Sequence, residues 1–110
     1  MRRAVASTAF VAMLALLAAA PASGADVLSI GKASKETKEL AERDCRRDSD
    51  CKVADAANCR RLASRRVSCV ASNVGTDKKG DYQCDRLVIV RLSDDGDLKR
   101  AAGDPSCYRI

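Results

Sequence analysis

Residues 51–64 read CKVADAANCRRLAS, and the reading of this stretch decides the fold. Cys51, Asp55, Cys59 and Leu62 fall near one stripe at helical spacing, with Val53 and Ala56 beside them. The stretch is therefore predicted to be a helix, opened by a turn and N-cap at Asp48, Ser49 and Asp50. On this reading Cys51 and Cys59 sit two turns apart on the same side. They are too distant to bond to each other, so each fastens the helix to another element.

Upstream, residues 32–47 (KASKETKELAERDCRR) also read as a helix. Lys35/Glu39, Lys38/Glu42 and Glu39/Arg43 are opposite charges at i, i+4. The apolar stripe is thin, with Ala33, Leu40 and Ala41, and Cys45 is placed to fasten its end. Residues 26–31 (DVLSIG) are a short apolar piece, an edge strand or an ordered arm. Downstream the period changes to two. Val67, Cys69 and Ala71 alternate with Ser68, Val70 and Ser72 over residues 66–74. A turn at 76–80 leads into 81–92 (DYQCDRLVIVRL), whose run Leu87-Val88-Ile89-Val90 predicts a central strand covered on both faces. Asp95-Gly96 marks a second hairpin, Leu98 to Ala101 a third strand, and Cys107 fixes the C-terminal residues. The fold class is α+β: a small disulfide-stapled domain with two N-terminal helices packed on a two- or three-stranded antiparallel meander.

The first 25 residues read as a signal peptide. Arg2 and Arg3 precede the apolar run Phe10–Ala20, and Ala20-Pro21-Ala22 and Ser23-Gly24-Ala25 offer small residues for cleavage after Ala22 or Ala25. The dense apolar run is 11 residues, whereas a membrane span needs about 20. Residues 26–110 then form a single disulfide-rich mature domain, with an expected destination in the periplasm or outside the cell. Cleavage lowers the excess of basic residues from 5 to 3 and removes the only Phe. It leaves 85 residues, 33 of them charged and only 18 of them Val, Leu, Ile or Tyr. A core this thin needs staples.

Six cysteines supply them: Cys45, Cys51, Cys59, Cys69, Cys84 and Cys107. An even number behind a signal peptide implies a disulfide framework, whose connectivity stays open at this level. The absence of C-x-x-C argues against a thioredoxin-like redox site, and the absence of histidine and of close cysteine pairs argues against zinc. Cys45-Arg-Arg-Asp-Ser-Asp-Cys51 resembles the C-x-x-D-x-x-C pieces of extracellular disulfide modules such as the whey acidic protein family. The likeness covers only these residues and lacks that family's adjacent Cys-Cys pair, so it implies nothing further.

The functional signals are few. Residues 43–66 hold eight basic and four acidic residues, and Arg60, Arg61, Arg65 and Arg66 would form one cationic end if the helix continued that far. Such an end suits an anionic lipid or glycan of the envelope, or an acidic protein face. Nucleic acid is disfavoured, because Tyr82 and Tyr108 are the only aromatic residues after the signal. The acidic turn Asp94-Asp95-Gly96-Asp97 lacks the ligand spacing of a calcium loop. No residue pair suggests a nucleophile with its base, and no cofactor or metal site is expected. The first expectation is an exported, non-catalytic binding module acting on a periplasmic or extracellular partner. An inhibitor-like version would present residues 75–80 or 93–97. The rivals are a cationic envelope-binding protein and an accessory subunit of an exported assembly.

Overall fold

The computed structural model describes residues 27–110, so the expected signal peptide and its cleavage sites lie outside the described residues. One helix, α1 (Ile30–Arg46), precedes five strands: β1 (Cys51–Ala63), β2 (Arg66–Asp77), β3 (Gly80–Leu92), β4 (Leu98–Ala102) and β5 (Ser106–Arg109). All pairings are antiparallel, in the order β1-β2-β3-β4. The long β3 is flanked by β2 on one side. On its other side it takes β4 along Val88–Leu92 and β5 along Tyr82–Asp85.

The fold is α+β, but among the described residues it has one helix rather than two, packed on a five-stranded sheet rather than a two- or three-stranded meander. The predicted second helix at 51–64 is the edge strand β1. Its partly buried residues are Cys51, Ala54, Ala56 and Cys59, at intervals of three, two and three. The cause lies in the pairing with β2, whose register shifts between Cys51 and Val53 and again between Ala57 and Arg60. Each irregularity inserts a residue into the alternation and so mimics helical spacing. Asn58 occupies the second one with φ 52°, a left-handed conformation that asparagine tolerates better than most side chains. This extra residue is what sets Cys59 opposite Cys69, to which it is bonded.

Helix α1 begins where Ser29 leaves the extended conformation and its hydroxyl accepts from the Lys32 N–H at 3.1 Å. Arg43 and Arg46 in its last turn suit the negative end of the helix dipole. Ala33, Thr37, Leu40 and Ala41 make its buried stripe. The stripe faces Val67, Cys69 and Ala71 of β2 and Val88 and Val90 of β3, and these with Leu28 form the core. Residues 27–29 are the ordered arm, not a strand. The Leu28 N–H donates to the Ser64 carbonyl at 2.8 Å, and the Leu28 side chain is buried. Two half-buried ion pairs latch the helix to the sheet, Arg86 with Asp44 at 2.7 Å and Arg100 with Glu36 at 3.3 Å.

The disulfides join near neighbours. Cys45–Cys51 ties the end of α1 to the start of β1, Cys59–Cys69 joins β1 to β2, and Cys84–Cys107 joins β3 to β5. The expectation that β3 is covered on both faces is corrected. Val88 and Val90 are fully buried toward the helix, whereas Leu87 on the other face is exposed. Among the described residues no helix or strand lies over that face.

Candidate functional site

The clearest cleft sits at the Gly80 end of the sheet, beyond the end of α1. Asp48, Asp50, Asp77, Tyr82, Tyr108 and Arg109 line it with the Cys84–Cys107 disulfide, around about 390 Å³. Three elements supply the walls: the turn between α1 and β1, the β2–β3 hairpin, and β5. Tyr82 and Arg109 are directly paired residues of β3 and β5, with the Gln83–Tyr108 pair between them and Cys84–Cys107. The disulfide therefore fixes the strands that carry both side chains.

Each wall is held by specific bonds. The Tyr82 hydroxyl donates to Asp48 Oδ2 at 2.8 Å, and the Asp50 N–H donates to Asp48 Oδ1 at 3.0 Å. Arg109 grips Asp77 through two bonds, Nη1 to Oδ1 at 2.6 Å and Nη2 to Oδ2 at 2.8 Å. Its guanidinium carbon lies 5.8 Å from the Tyr82 ring centre, within cation–π range. The Tyr108 hydroxyl donates to Asp85 at 3.1 Å. The Asp50 carboxylate accepts no hydrogen bond and forms no ion pair among the described residues, so the cleft keeps one uncommitted negative charge.

These contacts set the protonation states. The Arg109 bonds, helped by the Lys79 N–H, lower the Asp77 pKa from about 3.8 to about 2. The bond to Asp48, with some burial, raises Tyr82 to about 12. A depressed carboxyl pKa stabilises the fold above the unfolded value, and this support is lost as pH falls through the folded one. The Asp77–Arg109 tie is thus expected to be complete above pH 4 and to fail between about 4 and about 2. Its check is an NMR titration of the Asp77 carboxyl, with a midpoint of about 2 that returns toward 3.8 in Arg109→Gln. A wild-type midpoint near 3.8 would show that the pair does not form in solution.

The cationic end expected from the sequence is taken apart by the fold. Because 51–63 is a strand and 64–65 its turn, Arg61 and Arg65 are not neighbours on a helix. Arg61 donates to the carbonyls of Leu28, Ala63 and Ser64 and pins the N-terminal arm. Arg65 donates to the Leu92 carbonyl and pairs with Asp94 at 3.2 Å. Arg60 and Arg66 project from the uncovered face of the sheet, where Arg91 and Lys99 join them through the strand register. The acidic turn is also absorbed locally: Asp95 accepts from Ser93 Oγ and from the Asp97 N–H, and Gly96 takes φ 89°.

No protein-family model matches this chain, and neither the curated proteins nor the solved structures contain a significant match. The geometry alone therefore carries the functional reading.

The tyrosine cleft was not singled out from the sequence, although a trace of it is there. Tyr82 lies two residues before Cys84, and Tyr108 directly follows Cys107. Only the pairing of those two cysteines brings the tyrosines together. Arg109 had no signal of its own.

Proposed function

We propose that this protein is an exported, non-catalytic binding module that engages a partner protein through the tyrosine cleft. The observation that carries this reading is that Tyr82 and Arg109, paired across β3 and β5, line one disulfide-tied cleft, which Tyr108, bonded to Asp85 on the other face of the sheet, also lines. Tyr82 and Tyr108 are the only two tyrosines of the described chain, and tyrosine and arginine are the residue types enriched at interaction hot spots. The Cys84–Cys107 bridge and the Tyr82–Asp48 and Arg109–Asp77 bonds hold the walls of the cleft together, which lowers the ordering cost of association. Asp50 gives it a preference for a basic side chain on the partner. Export is supported by the signal-like residues 1–25 and by three disulfides, which persist in oxidising compartments. No helix among the described residues is long and apolar enough to cross a membrane.

The inhibitor-like version has less support. The 75–80 segment is strand up to Asp77 and Gly80, leaving only Lys78 and Lys79 at its tip, and 93–97 is closed by its own bonds. Neither is a loop that enters a deep cleft. Recognition of an anionic lipid or glycan by Arg60, Arg61, Arg65 and Arg66 is also weakened, since two of the four are committed to backbone carbonyls.

A photo-crosslinking residue at position 108 tests the proposal in the producing cells, with position 35 on the outer face of α1 as control. The expected result is an adduct to a different polypeptide from 108 and none from 35. Asp50→Lys should abolish it, and Tyr108→Ala should weaken binding at least about tenfold. Equal adducts from both positions, or none from 108, would remove the basis of this reading.

A further inference from the structure

The uncovered face of the sheet is ordered along the strands. Alternation places Arg66, Ser68, Val70 and Ser72 of β2 on it, and Arg91, Ile89, Leu87 and Asp85 of β3 stand directly opposite them. Lys99 extends the Arg66–Arg91 row on β4, and Asp55 of β1 stands opposite Ser72. The face therefore runs from a basic row (Arg66, Arg91, Lys99) over a middle whose apolar residues are Ile89, Val70 and Leu87, with Ser68 and Arg60 completing the Ile89 row toward the β1 edge, to an acidic row (Asp55, Asp85). Leu87 is 53 % exposed in the middle of it. Like charges directly opposite on neighbouring strands repel, and none of the three basic residues forms an ion pair among the described residues. Asp85 keeps its charge. Burial raises its pKa, but hydrogen bonds from Gln83, Ser72 and Tyr108 outweigh this and hold it below the ordinary value.

A surface ordered basic, apolar, acidic is complementary to itself. Consider a two-fold axis lying in the face, across the strands, between the rows of Ile89 and Leu87. It sets Arg91 over Asp85 of the second copy, Arg66 between the second copy's Asp55 and Asp85, and Ile89 over Leu87. We propose that two copies of this chain pair face to face through this surface. The arrangement closes as a dimer, because the same patch is used on both sides. It covers Leu87 and neutralises the repelling row at once. Pairing through the sheet edges is disfavoured, since β1 is broken by three register shifts and β4 and β5 are short. The patch is about 20 Å by 20 Å from strand spacing and rise, so the pair covers about 800 Å² in total, the size of a weak, reversible interface. The surface meets the tyrosine cleft at its acidic end, where Asp85 accepts from the Tyr108 hydroxyl; the rest of it lies along the strands away from the cleft.

Sedimentation velocity with light scattering tests the pairing on the disulfide-intact protein, with circular dichroism confirming the fold of each variant. The wild type is expected to be a dimer whose affinity falls at least about tenfold between low and high salt. Leu87→Lys should be monomeric. Arg66→Glu and Asp55→Arg are exposed changes away from the core, and each alone should weaken the dimer at least about tenfold. Together they should restore it, because the two-fold brings each against the other. A wild type still monomeric at about 100 µM, a dimer indifferent to Leu87→Lys, or a double variant no better than the singles would overturn the proposal.

Discussion

Reduction of the three disulfides is expected to unfold the domain. The buried core contains nine apolar residues, of which three are alanines and one is Cys69, itself half of a bridge. Five larger side chains, Leu28, Leu40, Val67, Val88 and Val90, carry most of the apolar burial. Loop closure in the unfolded chain depends on the residues enclosed, here 23 for Cys84–Cys107, 10 for Cys59–Cys69 and 6 for Cys45–Cys51. The chain-entropy model assigns them about 3.4, about 2.7 and about 2.2 kcal/mol. Together these rival the whole stability of a typical small domain. The ranking of single losses should not follow loop size alone. Serine at position 69 would place a hydroxyl in a fully buried site, adding about 1–3 kcal/mol if it finds no partner. The Cys59→Ser/Cys69→Ser pair is thus expected to be the most damaging and the Cys45→Ser/Cys51→Ser pair the least. Far-UV circular dichroism with and without reductant checks the first claim, and denaturant midpoints of the three double variants check the order. A reduced chain that kept its native spectrum would show that the core suffices without the bridges.

Gly75→Ala should destabilise the protein by about 1–3 kcal/mol and open the tyrosine cleft at the same time. A Cβ at Gly75 would lie 2.5 Å from the Asp50 carbonyl oxygen, 2.5 Å from the Tyr82 hydroxyl and 2.7 Å from its ring. The tyrosine could swing aside, but the Asp50 carbonyl is backbone and already accepts the Thr76 N–H at 3.1 Å. Either the turn before β1 moves or Tyr82 leaves Asp48, and both moves spoil the cleft. Gly31→Ala is the matched control. Nothing lies within 4 Å of its Cβ position in the first turn of α1, so alanine there should stabilise by about 0.5–1 kcal/mol. Thermal melts of the two variants should move in opposite directions. The Tyr82 titration, at about 12 in the wild type, should fall toward 10.0 in Gly75→Ala alone. Equal melts would mean that the Gly75 site relaxes without cost.

Much of the chain was legible because local signals agreed with the global fold. The helix at 30–46 has its charge pairs and its stripe in one register, although its start at Ile30 and its Ser29 cap were not read. The strands at 66–77 and 80–92 show either alternation or a dense β-branched run, and the turns carry Gly80 and Gly96 where φ is 117° and 89°. Residues 51–63 were misread because strand irregularities gave the same spacing as an amphipathic helix. What sets the strand there is pairing. The segment hydrogen-bonds to β2 along its length and is tied at both Cys51 and Cys59.

By itself, the sequence determined the α+β class, the need for staples, the first helix and the turns at 76–80 and 93–97, since each depends on residues close together in the chain. Tertiary structure alone decided the cysteine pairing and the strand character of β1. It also gathered Tyr82, Tyr108 and Arg109, set the basic row against the acidic row, and left one face of β3 bare. Those features depend on strand register. Register is fixed by contacts between residues far apart in sequence, and a one-residue irregularity such as the one at Asn58 changes which side chains meet.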